Sequence, residues 1–271
     1  MRCLVGNGQH RGRRKRQEDS FASSDPCDEA FVARAGFISV LADGMGGMAR
    51  GREASSLAVE AILEAYAVKS EAETVPAALK RAFIRANEVV FELGREVGLP
   101  GAVGTTALAA VFFEKQLFWA WAGDSRLYLW RRGSLHRLTE DHNLATRLEG
   151  EGVSPEAIAR NPEREALTSF FGFPAIPHLG LSEVPLPLEE DDRILLCSDG
   201  LYRSLDEPEI AALLADDPRR AGEILVDRVL AKKRPRQDNV TALVVAVEPC
   251  PAFSAGLFST LAAGARRLLT S

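Results

Sequence analysis

The sequence has few of the residues that stabilise secreted or zinc-binding proteins. It contains only four cysteines and four histidines among its 271 residues. The cysteines are far apart and form no Cys-x-x-Cys pair, which argues against a disulfide scaffold and a zinc knuckle. No apolar run reaches the roughly 20 residues of a membrane span, and no hydrophobic signal segment precedes the basic residues Arg11 to Arg16. We therefore expect a cytoplasmic protein without a membrane span.

Charge and composition narrow the class of protein further. Hydrophobic residues make up 46% and charged residues 26%, which is typical of a globular domain and excludes a disordered or collagen-like chain. The formal net charge of -5 disfavours a general nucleic-acid binder. A folded enzyme that binds no nucleic acid fits these values.

The pattern of apolar residues predicts grouped strands and grouped helices. A first strand is expected beside Glu18-Asp19. Further strands are expected at 31–41, 105–113, 117–122, 126–130, 135–138, 193–198 and 239–247, and helices at 51–68, 76–97, 207–214 and 218–232. Because strands and helices do not alternate one by one, this order predicts an α+β fold with a largely antiparallel core.

Two segments fall outside this pattern. From Asp141 to Pro177, proline and glycine interrupt short helical pieces, as in a lid or binding flap. Pro249-Cys250-Pro251 then ends the domain, and the rest is interpreted as a frayed or self-docked tail rather than an amphipathic helix for a partner or membrane. We expect one catalytic domain at 1–248 and a C-terminal tail at 249–271.

Acidic residues stand where apolar strands end or begin. Asp43 and Asp199 each end a strand, Asp238 opens the last one, and Asp124 and the Glu18-Asp19 pair adjoin others. Any one of them could be an ordinary turn residue. Folding the sheet would gather them at one edge, however, where carboxylates repel one another unless a cation lies among them. All-oxygen ligands favour Mg²⁺ or Mn²⁺, so the acids predict a two-metal hydrolytic site.

A basic run immediately precedes the first acidic pair. Arg11, Arg13, Arg14, Lys15 and Arg16 stand just before Glu18 and Asp19. An arginine fork matches phosphate oxygens, which suggests a phosphate ester as substrate. Most of the run is interpreted as solvated basic surface.

Seven short motifs, all in one order, resemble the metal-dependent protein serine/threonine phosphatases of type 2C (the PPM family) in their bacterial form. The resemblance spans essentially Gly8 to Glu248. The motifs read RKRQED at 14–19, DGMGG at 43–47, GTT at 104–106, AGDSR at 122–126, LTEDH at 138–142, SDG at 198–200 and DNVT at 238–241. The resemblance implies a four-layer α-β-β-α sandwich with two central, mainly antiparallel sheets and the metal site at one edge.

The resemblance also implies roles for single residues. Asp43 would bridge two Mn²⁺ or Mg²⁺ ions, the Gly44 carbonyl would help to hold the second, and Asp199 and Asp238 would complete the shell of the first. A metal-bridging hydroxide would then attack phosphorus directly, with no phospho-enzyme.

Further implied roles lie around these ligands. Glu18 and Asp19 would act mainly through ordered waters, Asp124 would hold a third, weaker ion, and Arg14 would grip the phosphate. Gly104-Thr105-Thr106 would support the sheet. The expected function is removal of phosphate from phosphoserine and phosphothreonine in proteins, by a monomer that opposes a cytoplasmic kinase.

The sequence departs from the family pattern at three places. Met45 stands where animal members have a histidine proposed as general acid, Gln17 replaces an asparagine, and Tyr202-Arg203-Ser204 lacks an acidic residue often found there. His142 could substitute as the acid, but a structural or flap role is preferred. Two alternatives remain open: a pseudophosphatase that binds without turnover, and another metallohydrolase such as a nucleotide phosphatase.

Overall fold

The computed structural model describes residues 2–45 and 50–248. The tail expected at 249–271 and the Gly46-Gly47 part of the glycine motif lie outside the described residues.

Strands and helices follow one another along the described residues in a grouped order. They are β1 (Arg2–His10), β2 (Asp19–Ser23), α1 (Glu29–Ala35), β3 (Phe37–Asp43), α2 (Gly51–Ala67), α3 (Val75–Glu96), β4 (Ala107–Phe113), β5 (Gln116–Ala122), β6 (Arg126–Arg131), β7 (Ser134–Arg137), α4 (Leu144–Gly150), α5 (Pro155–Arg160), β8 (Gly180–Leu181), β9 (Leu186–Pro187), β10 (Arg193–Cys197), α6 (Asp199–Tyr202), α7 (Glu207–Leu214), α8 (Pro218–Ala231) and β11 (Val240–Glu248).

The strands form two antiparallel sheets. The first has the order β1-β11-β10-β6-β7 and the second the order β2-β3-β4-β5-β8, with β9 also paired to β5. Helices α2 and α3 pack on the second sheet, and α7 and α8 pack on the first. The two sheets pack face to face in the middle, so the expected four-layer α-β-β-α sandwich is confirmed.

Side chains that point alternately to the two faces of each central strand explain these layers. In β4, Ala109 and Val111 belong to the core beneath α2 and α3, whereas Leu108 and Phe112 belong to the core between the sheets. Successive side chains of a strand point to opposite faces, so a strand that is apolar throughout must be covered on both sides. The continuous apolar runs of the sequence are therefore the strands at the centre of the sandwich.

The expected strand at 31–41 is wrong in its first half. Residues 29–35 form α1 instead, because the Asp28 side chain caps the helix by accepting a hydrogen bond from the Phe31 backbone N–H at 3.0 Å. Gly36 then ends the helix with a φ of 83°, where a Cβ would lie 2.7 Å from the Phe112 carbonyl oxygen. The strand begins only at Phe37. Strand β1 was not anticipated from its mixed polar sequence.

The segment expected as a flap carries α4 and α5 but little sheet. It is anchored at its start by Asp141, whose carboxylate accepts hydrogen bonds from Arg126 Nε and Nη2 at 2.9 and 2.6 Å. Short antiparallel bridges tie Asn143 to Leu167 and Thr105 to Phe171. The helices of the described residues include none long and apolar enough to cross a lipid bilayer.

Candidate active site

One cavity of about 220 Å³ opens at the edge where β3, β4, β10 and β11 meet. Seven of the eight residues singled out from the sequence line it: Arg14, Glu18, Asp43, Gly44, Asp124, Asp199 and Asp238. The eighth, Asp19, lies beside the cavity, buried and in contact with Asp43. The fold thus gathers acids from five separate parts of the chain, as the strand-end argument requires.

Asp43 is fixed by the sheet and by two threonines. It lies opposite Asp19 in the pairing of β2 with β3. Its backbone N–H donates to Thr106 Oγ1 at 2.9 Å, and its carbonyl accepts from Thr105 Oγ1 at 2.9 Å. The two threonines therefore act as supports for the backbone of Asp43.

Asp19 has one satisfied and one unsatisfied carboxylate oxygen. Ser198 Oγ, just after β10, and Thr241 Oγ1 of β11 donate to Oδ2 at 2.8 and 2.6 Å and so orient the side chain. Oδ1 is buried and has no hydrogen-bond partner among the described residues. A buried carboxylate oxygen without a donor is destabilising unless water or a cation meets it.

Gly44 lies where two other stretches of backbone come close to it. Its N–H donates to the Glu18 carbonyl at 3.0 Å, and a Cβ at this position would lie 2.6 Å from that oxygen. The Gly51 backbone approaches from the other side. Only glycine fits here, and it leaves the backbone of the strand end beside the cavity.

Arg203 joins three acids on one side of the cavity. Asp199 is the first residue of α6, and Arg203, four residues later, places Nε 3.0 Å from Asp199 Oδ2. Its Nη2 lies 3.4 Å from Asp124 Oδ2 and 3.3 Å from Glu165 Oε2. The Tyr202 hydroxyl also donates to Asp124 Oδ2, at 3.1 Å.

Arg14 reaches the opposite side of the cavity. Its Nη2 lies 2.6 Å from Asp238 Oδ2, and both side chains are partly exposed. Asn239 holds the adjacent loop, because its Oδ1 accepts from the Glu18 N–H at 2.8 Å. The Arg14 side chain thus lines the cavity and is still about half exposed.

Burial and mutual repulsion raise the pKa of three aspartates of the site, Asp19, Asp43 and Asp199. Burial, with the charges of Asp19 and Asp199, raises the pKa of Asp43 well above its usual value. Burial and then the charge of Asp124 raise the pKa of Asp199 to about 7, against the Arg203 charge. Burial raises the pKa of Asp19 to about 6, although hydrogen bonds from hydroxyls oppose it. Such raised values mark a place where added positive charge would be stabilising.

The donor set fits hard divalent cations. Carboxylates and backbone carbonyls line the cavity, whereas histidine and cysteine are absent from its described lining. As they stand, no three His, Cys, Asp or Glu side chains in residues 2–45 and 50–248 already form a group that could hold an ion. Asp199 forms an ion pair with Arg203, and Asp238 forms one with Arg14. The unpaired Asp19 Oδ1 and the raised pKa values nevertheless indicate a place for cations.

Two features of the site, the flap residues in its lining and the ion pairs of Arg203, were not assigned from the sequence. Glu165 and Leu167 of the expected flap line the cavity, and nothing in the sequence pattern relates them to the strand-end acids. In the sequence, Arg203 stands out only as part of a departure from the family pattern, although its spacing of four residues from Asp199 on a short helix could have predicted the ion pair.

His142 lies away from the cavity lining, buried against Trp121 with ring centroids 5.6 Å apart. This placement favours a structural role over that of an acid.

Comparison with known proteins assigns the family. Residues 9–231 match the family model described as protein phosphatase 2C. The serine/threonine phosphatase stp of Listeria monocytogenes is 32% identical over 213 residues, 77% of this chain and 83% of that protein. The solved serine/threonine phosphatase of S. agalactiae superposes with a TM-score of 0.77 at 27% identity, over 91% of this chain and 100% of the other.

A second solved structure bears on the donor set. The catalytic domain of the serine/threonine protein phosphatase PstP, in complex with two manganese ions, superposes with a TM-score of 0.71 at 30% identity. The match covers 91% of this chain and 99% of the other. The chain therefore belongs to the protein phosphatase 2C family and is a serine/threonine protein phosphatase.

Proposed function

We propose that this phosphatase depends on two Mn²⁺ or Mg²⁺ ions held by Asp43, Gly44, Asp199 and Asp238. The observation that carries the proposal is the cavity itself, where carboxylates distant in sequence face one another with raised pKa values. The PstP complex with two manganese ions supports the same number and kind of ion. When bound, the ions supply an activated water for direct attack on phosphorus and neutralise the phosphate charge.

The chain's own residues have distinct parts in this proposal. Asp43 and the Gly44 carbonyl, held by the threonine supports, present oxygens from the end of β3. Asp199 and Asp238, which pair with Arg203 and Arg14 in this structure, would hold the ions, and Arg14 would bind phosphate oxygens. Glu18 acts through ordered water.

Two further residues complete the assignment. Asp19, fixed at Oδ2 by hydroxyls, offers Oδ1 to water at the ions. Asp124 contributes to a third, weaker cation site. Met45 lines the cavity and cannot donate a proton, so protonation of the leaving alkoxide falls to water or to another group at the site.

Activity with a small aryl phosphate tests metal dependence directly. Purified protein should hydrolyse p-nitrophenyl phosphate with added Mn²⁺ and stop when a chelator is added. Asp43→Asn and Asp199→Asn should each abolish turnover while circular dichroism shows an intact fold. Asp227→Asn, an exposed aspartate on α8, is the matched control and should keep full activity. Metal-independent hydrolysis, or near-normal rates in both site variants, would contradict the proposal.

The proposed substrates are proteins phosphorylated on serine or threonine by a cytoplasmic kinase. Phosphopeptide turnover that matches or exceeds nucleotide hydrolysis separates this from a nucleotide phosphatase. Measured Mn²⁺ binding without turnover of any phosphopeptide would instead indicate a pseudophosphatase.

The domain limits and the state of assembly remain proposals. We assign residues 1–248 to a monomeric catalytic domain with a flap at 141–177. Removal of residues 249–271 should leave basal activity intact, and sedimentation should give one chain per particle.

A further inference from the structure

Two basic segments lie side by side next to the catalytic cavity. Residues 11–16 contain five arginines and lysines, residues 232–236 contain four, and neither segment contains an acid. The Arg13 N–H donates to the Gln237 carbonyl at 2.8 Å, which joins the two segments. Asn239 Nδ2 donates to the carbonyls of Arg11 and Arg16, at 3.0 and 2.9 Å, and so holds the first loop on the start of β11.

Most of this positive charge is not neutralised by the protein. Within the described residues, Arg14 pairs with Asp238 and Lys232 pairs with Glu209. The other cations of the two segments make no ion pair with a described residue and are exposed or partly exposed. We call these seven residues the basic rim: Arg11, Arg13, Lys15, Arg16, Lys233, Arg234 and Arg236.

The basic rim has the opposite sign to the chain as a whole, which carries a net charge of -5. Like charges held together repel one another, and the repulsion is relieved when an anionic partner binds. A local excess of seven cations on an acidic protein is therefore a surface suited to a negatively charged partner.

A groove of about 340 Å³ lies between the two adjacent segments and is lined by residues of both. Arg13, Lys233 and Arg234 line it, and Val229 and Leu230 of α8 contribute apolar surface. Such a groove can hold one or two side chains of an extended peptide.

The groove adjoins the catalytic cavity. Arg13 and Gln237 line the groove, and the next residues in sequence, Arg14 and Asp238, line the cavity. Arg234 also bonds the backbone carbonyl of Arg203, which lines the cavity as well.

We propose that the basic rim binds an acidic segment of the substrate protein, close in sequence to the phosphorylated residue. The inference rests on the proposed function, since it places the phosphate in the cavity and Asp or Glu side chains of the substrate in the groove. The two segments contain no Phe, Tyr or Trp on which bases could stack, which favours an acidic peptide over single-stranded nucleic acid.

Three phosphopeptides test the proposal with the holoenzyme in Mn²⁺. They share one phosphothreonine core, which is flanked by Glu and Asp in the first, by Gln and Asn in the second and by Lys in the third. We expect kcat/KM to be about tenfold higher for the acidic than for the neutral peptide, because several weak exposed ion pairs act together. The difference should lie mainly in KM and should shrink as salt is raised from 50 mM to about 500 mM.

A double variant tests whether the basic rim causes the preference for acidic peptides. Arg13→Gln with Lys233→Gln should reduce the acidic preference to about twofold and leave hydrolysis of p-nitrophenyl phosphate unchanged. Lys80→Gln with Arg85→Gln removes the same charge from the exposed face of α3 and should retain the full preference. Equal rates on acidic and neutral peptides, or equal losses in both double variants, would overturn the proposal.

Binding separates this inference from the proposed function. Fluorescence anisotropy with a labelled acidic peptide reports on the rim even if no substrate is turned over. Tighter binding of the acidic than the neutral peptide, weakened by Arg13→Gln with Lys233→Gln, supports the rim whatever the catalytic result. Tighter binding of an oligonucleotide of equal charge would overturn the peptide assignment in favour of nucleic acid.

Discussion

Replacement of Asp199 by Asn should stabilise the metal-free protein while it abolishes activity. In the folded state the pKa of Asp199 is raised to about 7 from its ordinary value of 3.8, chiefly by burial and then by the charge of Asp124. Between these two values the folded chain binds a proton that the unfolded chain has released. Stability is therefore greatest below the ordinary value and falls as pH rises towards 7.

The size of the effect follows from the same shift. The pKa is raised by about three units, and each unit is equivalent to about 1.4 kcal/mol. Ionised Asp199 therefore lowers the free energy of unfolding at pH 8 by at most about 4 kcal/mol. Neighbouring carboxylates share the repulsion, so about 2 kcal/mol is expected. For a domain of this size that corresponds to a Tm increase of about 4 to 8 °C.

Thermal unfolding of chelator-treated protein provides the assay. Asp199→Asn should raise Tm at pH 8, and the increase should fall to less than half at pH 5, where the native carboxyl is already protonated. Asp227→Asn, exposed on α8, should change Tm at neither pH. An Asn variant no more stable than the native protein at pH 8, or one stabilised equally at both pH values, would refute the electrostatic reasoning.

Three further outcomes are expected. Gly200→Ala should destabilise the protein by about 2 kcal/mol in urea unfolding and weaken Mn²⁺ binding in calorimetry, because its Cβ would collide with the Asn239 carbonyl; an unchanged midpoint would contradict this. Asp192→Ala should cost about 2 kcal/mol, because Arg131 and the Glu189 N–H lose a buried acceptor while Arg131 keeps its ion pair with Glu189. The specific activity with aryl phosphate at 20 °C should stay unchanged, and lost activity in folded protein would contradict this reasoning. Mn²⁺ at about 100 times its Kd should stabilise the chelated protein by about 2.7 kcal/mol, reversibly on addition of chelator, and an unchanged Tm would count against a metal site.

Local patterns predicted the elements wherever apolar periodicity was strong. The expected helix at 51–68 is observed at Gly51–Ala67, and the expected helix at 207–214 is observed with the same bounds. Residues 31–35 are helical rather than part of the expected strand. A stretch as short as FVARA fits helix or strand, and the cap at Asp28 with the turn at Gly36 decided for helix.

The candidate site could be anticipated because its acids occupy positions that repeat a simple rule. Asp43 is the last residue of β3 and pairs with Asp19 at the start of β2, while Asp199 just after β10 lies near Asp238 just before β11. Antiparallel pairing places the end of one strand beside the start of the next, and the packing of the two sheets brings both pairs to one edge. No comparable rule relates Glu165 to Arg203, since the contact depends on how a long irregular segment closes over the cavity.

The sequence by itself determined the kinds of atoms available for chemistry: carboxylates at strand ends, an arginine before the first of them, and almost no soft ligands. Only the tertiary structure decided which of these groups face one another, where each carboxylate finds a donor, and that residues 11–16 and 232–236 form one charged surface. The physical reason is the distance along the chain over which each interaction acts. Strand and helix preferences act over a few residues, whereas contacts between distant segments depend on sheet register and loop closure, which the whole core establishes together.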